Sequence, residues 1–225
     1  MKKFAFIGGG SFGFTRTLVK DLLTFPAFAD AEIALMDIDE ERLSYIRQAC
    51  EKIVRAGNYP AKITATTNRA EALKDADGVL CTILSGDVDV WQHDILIPKK
   101  YGVDINVGDT RGPSGIFRFL RTANDLLAIC RDVEKYCPNA IVLNYTNPMA
   151  MLSGYMQRYI GVTTVGLCHS VQVCARDLLK GVGMDEYIGN TVETIAGINH
   201  MAWLLKLTDR KGNDLYPEVR RRAKE

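Results

Sequence analysis

The chain of 225 residues carries 28 Lys and Arg against 27 Asp and Glu, a formal net charge of +1, with no block of like charge. That balance excludes the clustered cationic surface of a nucleic-acid or anionic-membrane binder, so a small-molecule ligand is expected. No run approaches the ~20 apolar residues that span a bilayer, and six scattered cysteines (Cys50, Cys81, Cys130, Cys137, Cys168 and Cys174) lack the dense framework of a small secreted domain, which predicts a cytoplasmic protein with no membrane partner.

The two lysines ahead of the first apolar run look superficially like a secretory leader, but that run is short and ends in glycines, so it reads as a first strand. Strand-like runs at residues 4–7, 33–36, 63–65, 78–83, 140–144 and 163–167 alternate with helical spacing at 14–23, 40–56, 69–73, 116–136, 149–159 and 171–179. This alternation predicts βαβ units in a doubly wound parallel sheet, a Rossmann-like α/β fold whose ligands bind at the loops following the strands. Residues 85–114 break the rhythm with Gly86, Pro98, Gly102, Gly108, Gly112 and Pro113, with part of a helix expected around 91–100. Beyond residue 190 the text turns β-rich: 191–198 and 202–208 flank His200, 208–213 reads as a turn, and 217–225 is charged and helical. The expected organisation is therefore a dinucleotide-binding domain over 1–190 and the start of a second, α+β domain over 191–225.

The loop Gly8-Gly9-Gly10-Ser11-Phe12-Gly13 follows a strand and precedes a helix. There Gly8, Gly10 and Gly13 permit a tight turn, and the backbone of Ser11 and Phe12 meets a pyrophosphate at the helix N-terminus. Asp37 ends the second strand at about the separation expected of a carboxylate that accepts from an adenosine ribose, and its charge favours NAD over NADP. The competing reading is a plain glycine turn with Asp37 or Asp39 capping the next helix.

Cys168 ends the sixth strand and His200 lies between two later ones. A thiolate and an imidazole suit a divalent transition metal, and two protein ligands leave positions open for water or substrate, as a catalytic site requires. Taken singly, a strand-end cysteine is more often a small buried hydrophobe and a lone histidine a hydrogen-bonded core residue. Asp109, Arg111 and Arg118 line a substrate cleft or form the ordinary ion pairs of a solvated loop. Trp91, Gln92 and His93 read as part of a surface or interface helix, and Cys174 as core packing.

Four segments together carry a resemblance. The opening glycine loop with Ala34-Leu35-Met36-Asp37-Ile38-Asp39, then Asn144-Tyr145-Thr146-Asn147-Pro148-Met149-Ala150, Gly166-Leu167-Cys168-His169-Ser170-Val171 and Ile198-Asn199-His200-Met201-Ala202 are similar, in order and spacing, to the NAD- and metal-dependent family 4 glycoside hydrolases. Cys-His-Ser-Val resembles the α-galactosidase (melibiase) branch.

The resemblance implies hydrolysis of an α-galactoside such as melibiose by oxidation at C3 with NAD⁺, elimination across C1–C2, addition of water and return of the hydride, one of the exceptions to paired-carboxylate hydrolysis. It implies Cys168 and His200 as ligands of a divalent metal, Mn²⁺ first, and His169 as the acid that protonates the leaving oxygen, with helix capping as its competing role. Asn147 and Asn199 become substrate contacts, Asn199 alternatively orienting His200. Relatives of about twice this length, a C2 base beyond residue 225 and a homo-oligomer at full length are further implications, so the chain is expected to be a truncated form. A simple NAD-dependent dehydrogenase of the lactate/malate type and a non-catalytic dinucleotide-binding module are the alternatives.

Overall fold

A computed structural model describes residues 1–105 and 110–225. They form two compact units, Met1–Leu167 and Cys168–Glu225.

In the first unit, β1 (Lys3–Ile7), β2 (Glu32–Met36), β3 (Lys62–Thr66), β4 (Gly78–Cys81), β5 (Ile141–Asn144) and β6 (Thr164–Gly166) make one sheet in the order β3-β2-β1-β4-β5-β6. Every pairing is parallel, as the doubly wound expectation requires. The order reverses between β1 and β4, which opens a crevice at the carboxyl ends of these two strands.

Side-chain alternation along β1 sorts the core into two layers. Phe4 and Phe6 pack with Val19 and Leu23 of α1 (Phe12–Thr24) and with Leu43, Ile46 and Cys50 of α2 (Glu40–Ala56). Ala5 and Ile7 pack with Leu73 of α3 (Arg69–Leu73), and with Leu126, Ile129 and Val133 of α5 (Gly112–Tyr136) and Leu152 and Met156 of α6 (Met149–Tyr159). A sheet buried on both faces explains why its strands read as continuous apolar runs.

Local chemistry sets the helix ends. Asp39 caps α2 by accepting from the Arg42 N–H at 3.0 Å, and Glu40 and Glu41 occupy its first turn, where the dipole favours acids. The helix α4 (Val88–Lys99) starts earlier than the expected residue 91 because Asp87 accepts from the Val90 N–H. α5 starts at Gly112 rather than 116: Pro113 lies in its first turn, where a missing N–H costs no hydrogen bond.

In the second unit, α7 (Ser170–Gly181), the antiparallel hairpin of β7 (Thr191–Ile198) and β8 (Met201–Asp209), and α8 (Tyr216–Arg222) enclose a small core of Ala175, Leu179, Met184, Leu207, Leu215 and Val219. The division at Leu167/Cys168 falls ahead of the sequence boundary near 190, because Ala175 and Leu179 of α7 join this second core. Val192, Ile198, Met201, Trp203 and Leu205 of the hairpin remain exposed. Among the described residues no helix is long and apolar enough to cross a membrane.

Candidate functional site

The glycine loop is stitched to the end of β2 on one side and to the residue after β4 on the other. The N–H groups of Gly8 and Gly9 donate to the Met36 carbonyl at 3.0 and 2.8 Å, while Thr82 Oγ1 donates to the Gly8 carbonyl at 3.0 Å. Gly8 has φ +81°, and a Cβ on it would stand 2.8 Å from the Thr82 carbonyl oxygen. No other residue fits there. Gly10 donates its N–H to Asp37 Oδ2 at 2.7 Å, and a Cβ on Gly10 would meet that same oxygen at 2.7 Å.

Asp37 also accepts from the Asp39 N–H at 3.1 Å. The capping role is taken by Asp39, which leaves Asp37 as the fastener of the loop, with carboxylate lone pairs still open to a sugar hydroxyl. Ser11 is the N-terminal flank of α1 but makes no side-chain cap. Among the described residues the N–H groups of Phe12, Gly13 and Phe14 find no acceptor, and a Cβ on Gly13 would meet nothing within 4 Å. An uncapped helix start, no acid in its first turn and free space above a glycine form a cradle for an anion, and these residues fit a dinucleotide pyrophosphate. The Phe12 side chain points its ring to Arg16, whose guanidinium lies 5.3 Å from the ring centre.

Asn147 stands at the carboxyl end of β5, half-buried, joined to Pro148 by a cis peptide. Its neighbourhood is held by Asn144, fully buried, which accepts from the Thr146 N–H at 3.0 Å and donates to the Thr146 carbonyl at 3.2 Å. Thr146 in turn accepts from the Ile83 N–H at 3.0 Å, which ends β4 ahead of the expected residue 83. Asp109 lies outside the described residues. Arg111 flanks the start of α5 without capping it, and Arg118 lies over the Trp91 ring, 5.4 Å from its centre.

In the second unit the structure brings Cys168 and His200 together: Sγ and Nε2 are 3.4 Å apart, and Sγ–H also donates to Ser170 Oγ at 3.1 Å. Two donors bound at about 2.0–2.3 Å to one tetrahedral cation lie 3–4 Å apart, so this pair fits a divalent metal. Among the described residues no cluster of three or more His, Cys, Asp or Glu side chains adds to it.

His200 ends the two-residue turn of the hairpin, with φ +55°. An L residue there costs about 1–2 kcal/mol, a position where glycine or asparagine is at ease, and the strained conformation aims the imidazole at Cys168. The carboxamide oxygen of Asn199 is buried with no hydrogen-bond partner. Such an acceptor calls for a donor. His169 is exposed and stands at the start of α7 without capping it, so the capping alternative is not realised.

The other cysteines divide cleanly. Burial pushes the thiols of Cys50 and Cys130 up to about 12 and those of Cys81 and Cys137 up to about 11, as expected of neutral thiols packed in the core. Cys174, expected in the core, is exposed, because its position on α7 faces away from Ala175 and Leu179. Sequence reasoning did not single out Ser170 or Thr82 as site builders. Ser170 was visible as part of Cys-His-Ser-Val; nothing local marks Thr82, whose partner is 74 residues away.

Comparison with known proteins adds to this geometry. Residues 3–184 match the family described as "Family 4 glycosyl hydrolase" and residues 195–225 its C-terminal domain. The chain is 46% identical over its full length to an α-galactosidase of Bacillus subtilis (strain 168), covering 52% of that protein. It is 40% identical over 93% of its length to an α-galactosidase of Rhizobium meliloti, covering 43% of that one. A 6-phospho-α-glucosidase from gut microorganisms, solved in complex with NAD and Mn²⁺, superposes with a TM-score of 0.83 at 25% identity over 99% of this chain and 51% of its own. The chain spans about half the length of the curated relatives it matches.

Proposed function

Since this chain belongs to family 4 of the glycosyl hydrolases, we propose that it serves the NAD- and metal-dependent hydrolysis of α-galactosides. The substrate class rests on similarity to the two α-galactosidases. The observation that carries the chemistry is the 3.4 Å approach of Cys168 Sγ, just ahead of α7, to His200 Nε2 on the hairpin turn.

Cys168 and His200 hold the divalent ion, Mn²⁺ by analogy with the relative solved with that ion. Gly8, Gly10, Ser11, Phe12 and Gly13 receive the pyrophosphate of NAD, and Asp37 accepts from the adenosine ribose. When bound, the dinucleotide supplies reversible hydride exchange and the cation supplies Lewis acidity toward the sugar hydroxyls. His169, solvent-exposed beside Cys168, protonates the departing glycosidic oxygen, a task an imidazole performs near neutral pH. Asn147 is a contact for a sugar hydroxyl, and the orphaned Asn199 oxygen accepts from a hydroxyl or from water.

The test is incubation with p-nitrophenyl α-galactoside, NAD⁺, Mn²⁺ and thiol, omitting each in turn, alongside Mn²⁺ titration by electron paramagnetic resonance. The proposal expects nitrophenol release that needs every addition and Mn²⁺ binding that Cys168→Ser abolishes. Release that survives chelator and removal of the dinucleotide overturns the mechanism. NAD⁺ binding with neither release nor Mn²⁺ binding leaves only a dinucleotide-binding module.

A further inference from the structure

One buried ion pair in the first unit belongs neither to the glycine loop nor to the Cys168–His200 pair. Asp94 of α4 is 4% exposed, and both its carboxylate oxygens receive the Arg121 guanidinium of α5, at 3.0 and 2.5 Å. A buried carboxylate of this kind is costly unless the geometry is bidentate and the remaining donors are used. They are used on the loop that follows β4. Arg121 Nε donates to the Ser85 carbonyl at 3.2 Å, and the Arg121 stem lies against Gly86, where a Cβ would be 3.4 Å from Cδ; Gly86 itself has φ +79°. Ser85 Oγ donates to Asp125, one helical turn beyond Arg121, at 2.6 Å. Ser114 Oγ donates to the Asp94 carbonyl and ties the start of α5 to α4.

One guanidinium thus fastens α4, α5 and the Thr82–Asp87 loop to each other. That loop begins at the crevice, since Thr82 holds the Gly8 carbonyl, and it lies on the β4 side. In a doubly wound sheet the two mononucleotide halves of a dinucleotide sit on opposite sides of the reversal point. Asp37, just after β2, serves the adenosine half. The β4 side serves the nicotinamide half.

We infer that Arg121, braced by Asp94, is a positioning residue for the nicotinamide half of the dinucleotide: it holds the Thr82–Asp87 loop in the shape that half requires and leaves the adenosine half untouched. This rests on the dinucleotide reading above. Simple scaffolding would lower stability or weaken all nucleotide ligands alike, whereas loop positioning separates the two halves.

The experiment compares dissociation constants for NAD⁺ and for 5′-AMP, with melting temperature, in the whole chain and in two variants. The double variant Asp94→Asn/Arg121→Gln removes both charges together, so no buried charge is left alone. The second, Asp125→Asn, sits on an exposed residue and weakens only the Ser85 side-chain tether.

The expected result is an NAD⁺ affinity about tenfold weaker in the double variant and about threefold weaker in Asp125→Asn, with 5′-AMP within twofold of the parent in both. Unchanged NAD⁺ affinity in either variant that folds, or equal losses for NAD⁺ and 5′-AMP, overturns the inference. If the double variant does not fold, Asp125→Asn reads the same split by itself. A parent chain that binds neither ligand refutes the dinucleotide reading instead.

Discussion

The glycine loop and the Cys168–His200 pair solve the same problem, holding polar atoms still, by opposite means. The loop rests on buried strands: Ile7 and Met36 on either side are 2% and 6% exposed, and Gly8, Gly9 and Gly10 are pressed against backbone or against Asp37. Its precision comes from close packing, which tolerates no added atom. The metal pair joins Cys168, just ahead of α7, to His200 on an exposed hairpin turn, where His200 sits in a left-handed conformation. Its precision comes from strand register and local strain, features that concentrate where function requires them. The loop should therefore respond to substitution with a loss of stability, and the turn with a loss of ligand at little structural cost.

The largest effect expected is at the turn. Cys168→Ser or His200→Ala should weaken Mn²⁺ binding by at least about 100-fold, since outer-sphere partners alone are worth 10–100-fold, while NAD⁺ affinity stays within about twofold. Parallel Mn²⁺ and NAD⁺ titrations check this, and a joint loss of both ligands would dissolve the contrast between the sites. Gly10→Ala should cost about 1–3 kcal/mol of stability by overpacking against Asp37, seen as a lower urea midpoint with unchanged slope, together with weaker NAD⁺ binding.

Asp37→Asn should lower the preference for NAD⁺ over NADP⁺ by about tenfold by removing the charge that repels a 2′-phosphate, measured as a ratio of dissociation constants. His200→Gly should raise stability by up to about 1 kcal/mol through relief of the left-handed strain even as Mn²⁺ binding is lost. A destabilised glycine variant would mean that the turn is built for packing rather than for a ligand. Trp203→Ser should change stability by no more than about 0.5 kcal/mol, because the indole is 74% exposed.

Much of this was legible in the residues. The helices over 40–56, 69–73 and 149–159 coincide with α2, α3 and α6, since period, caps and strand punctuation are local signals. α4 and α5 begin ahead of the residues their spacing marks, because Asp87, Gly112 and Pro113 look like loop residues in the sequence alone. For Cys168 and His200 the donor chemistry suits a metal but neither residue is informative singly, and the segments around them carry the resemblance. The Arg121–Asp94 pair left no trace in the text: its members are 27 positions apart on two helices whose facing sides no pattern announces.

By itself the sequence determined the alternation of strands and helices and the glycine turn, both of which depend on neighbours a few residues away. Only the tertiary structure decided that Asp37 would fasten Gly10 while Asp39 took the cap, that α7 would share a core with the hairpin, and that a sulfur and an imidazole would meet across 32 positions. Those outcomes follow from which apolar faces could be buried together, and burial is a property of the assembled chain rather than of any one segment.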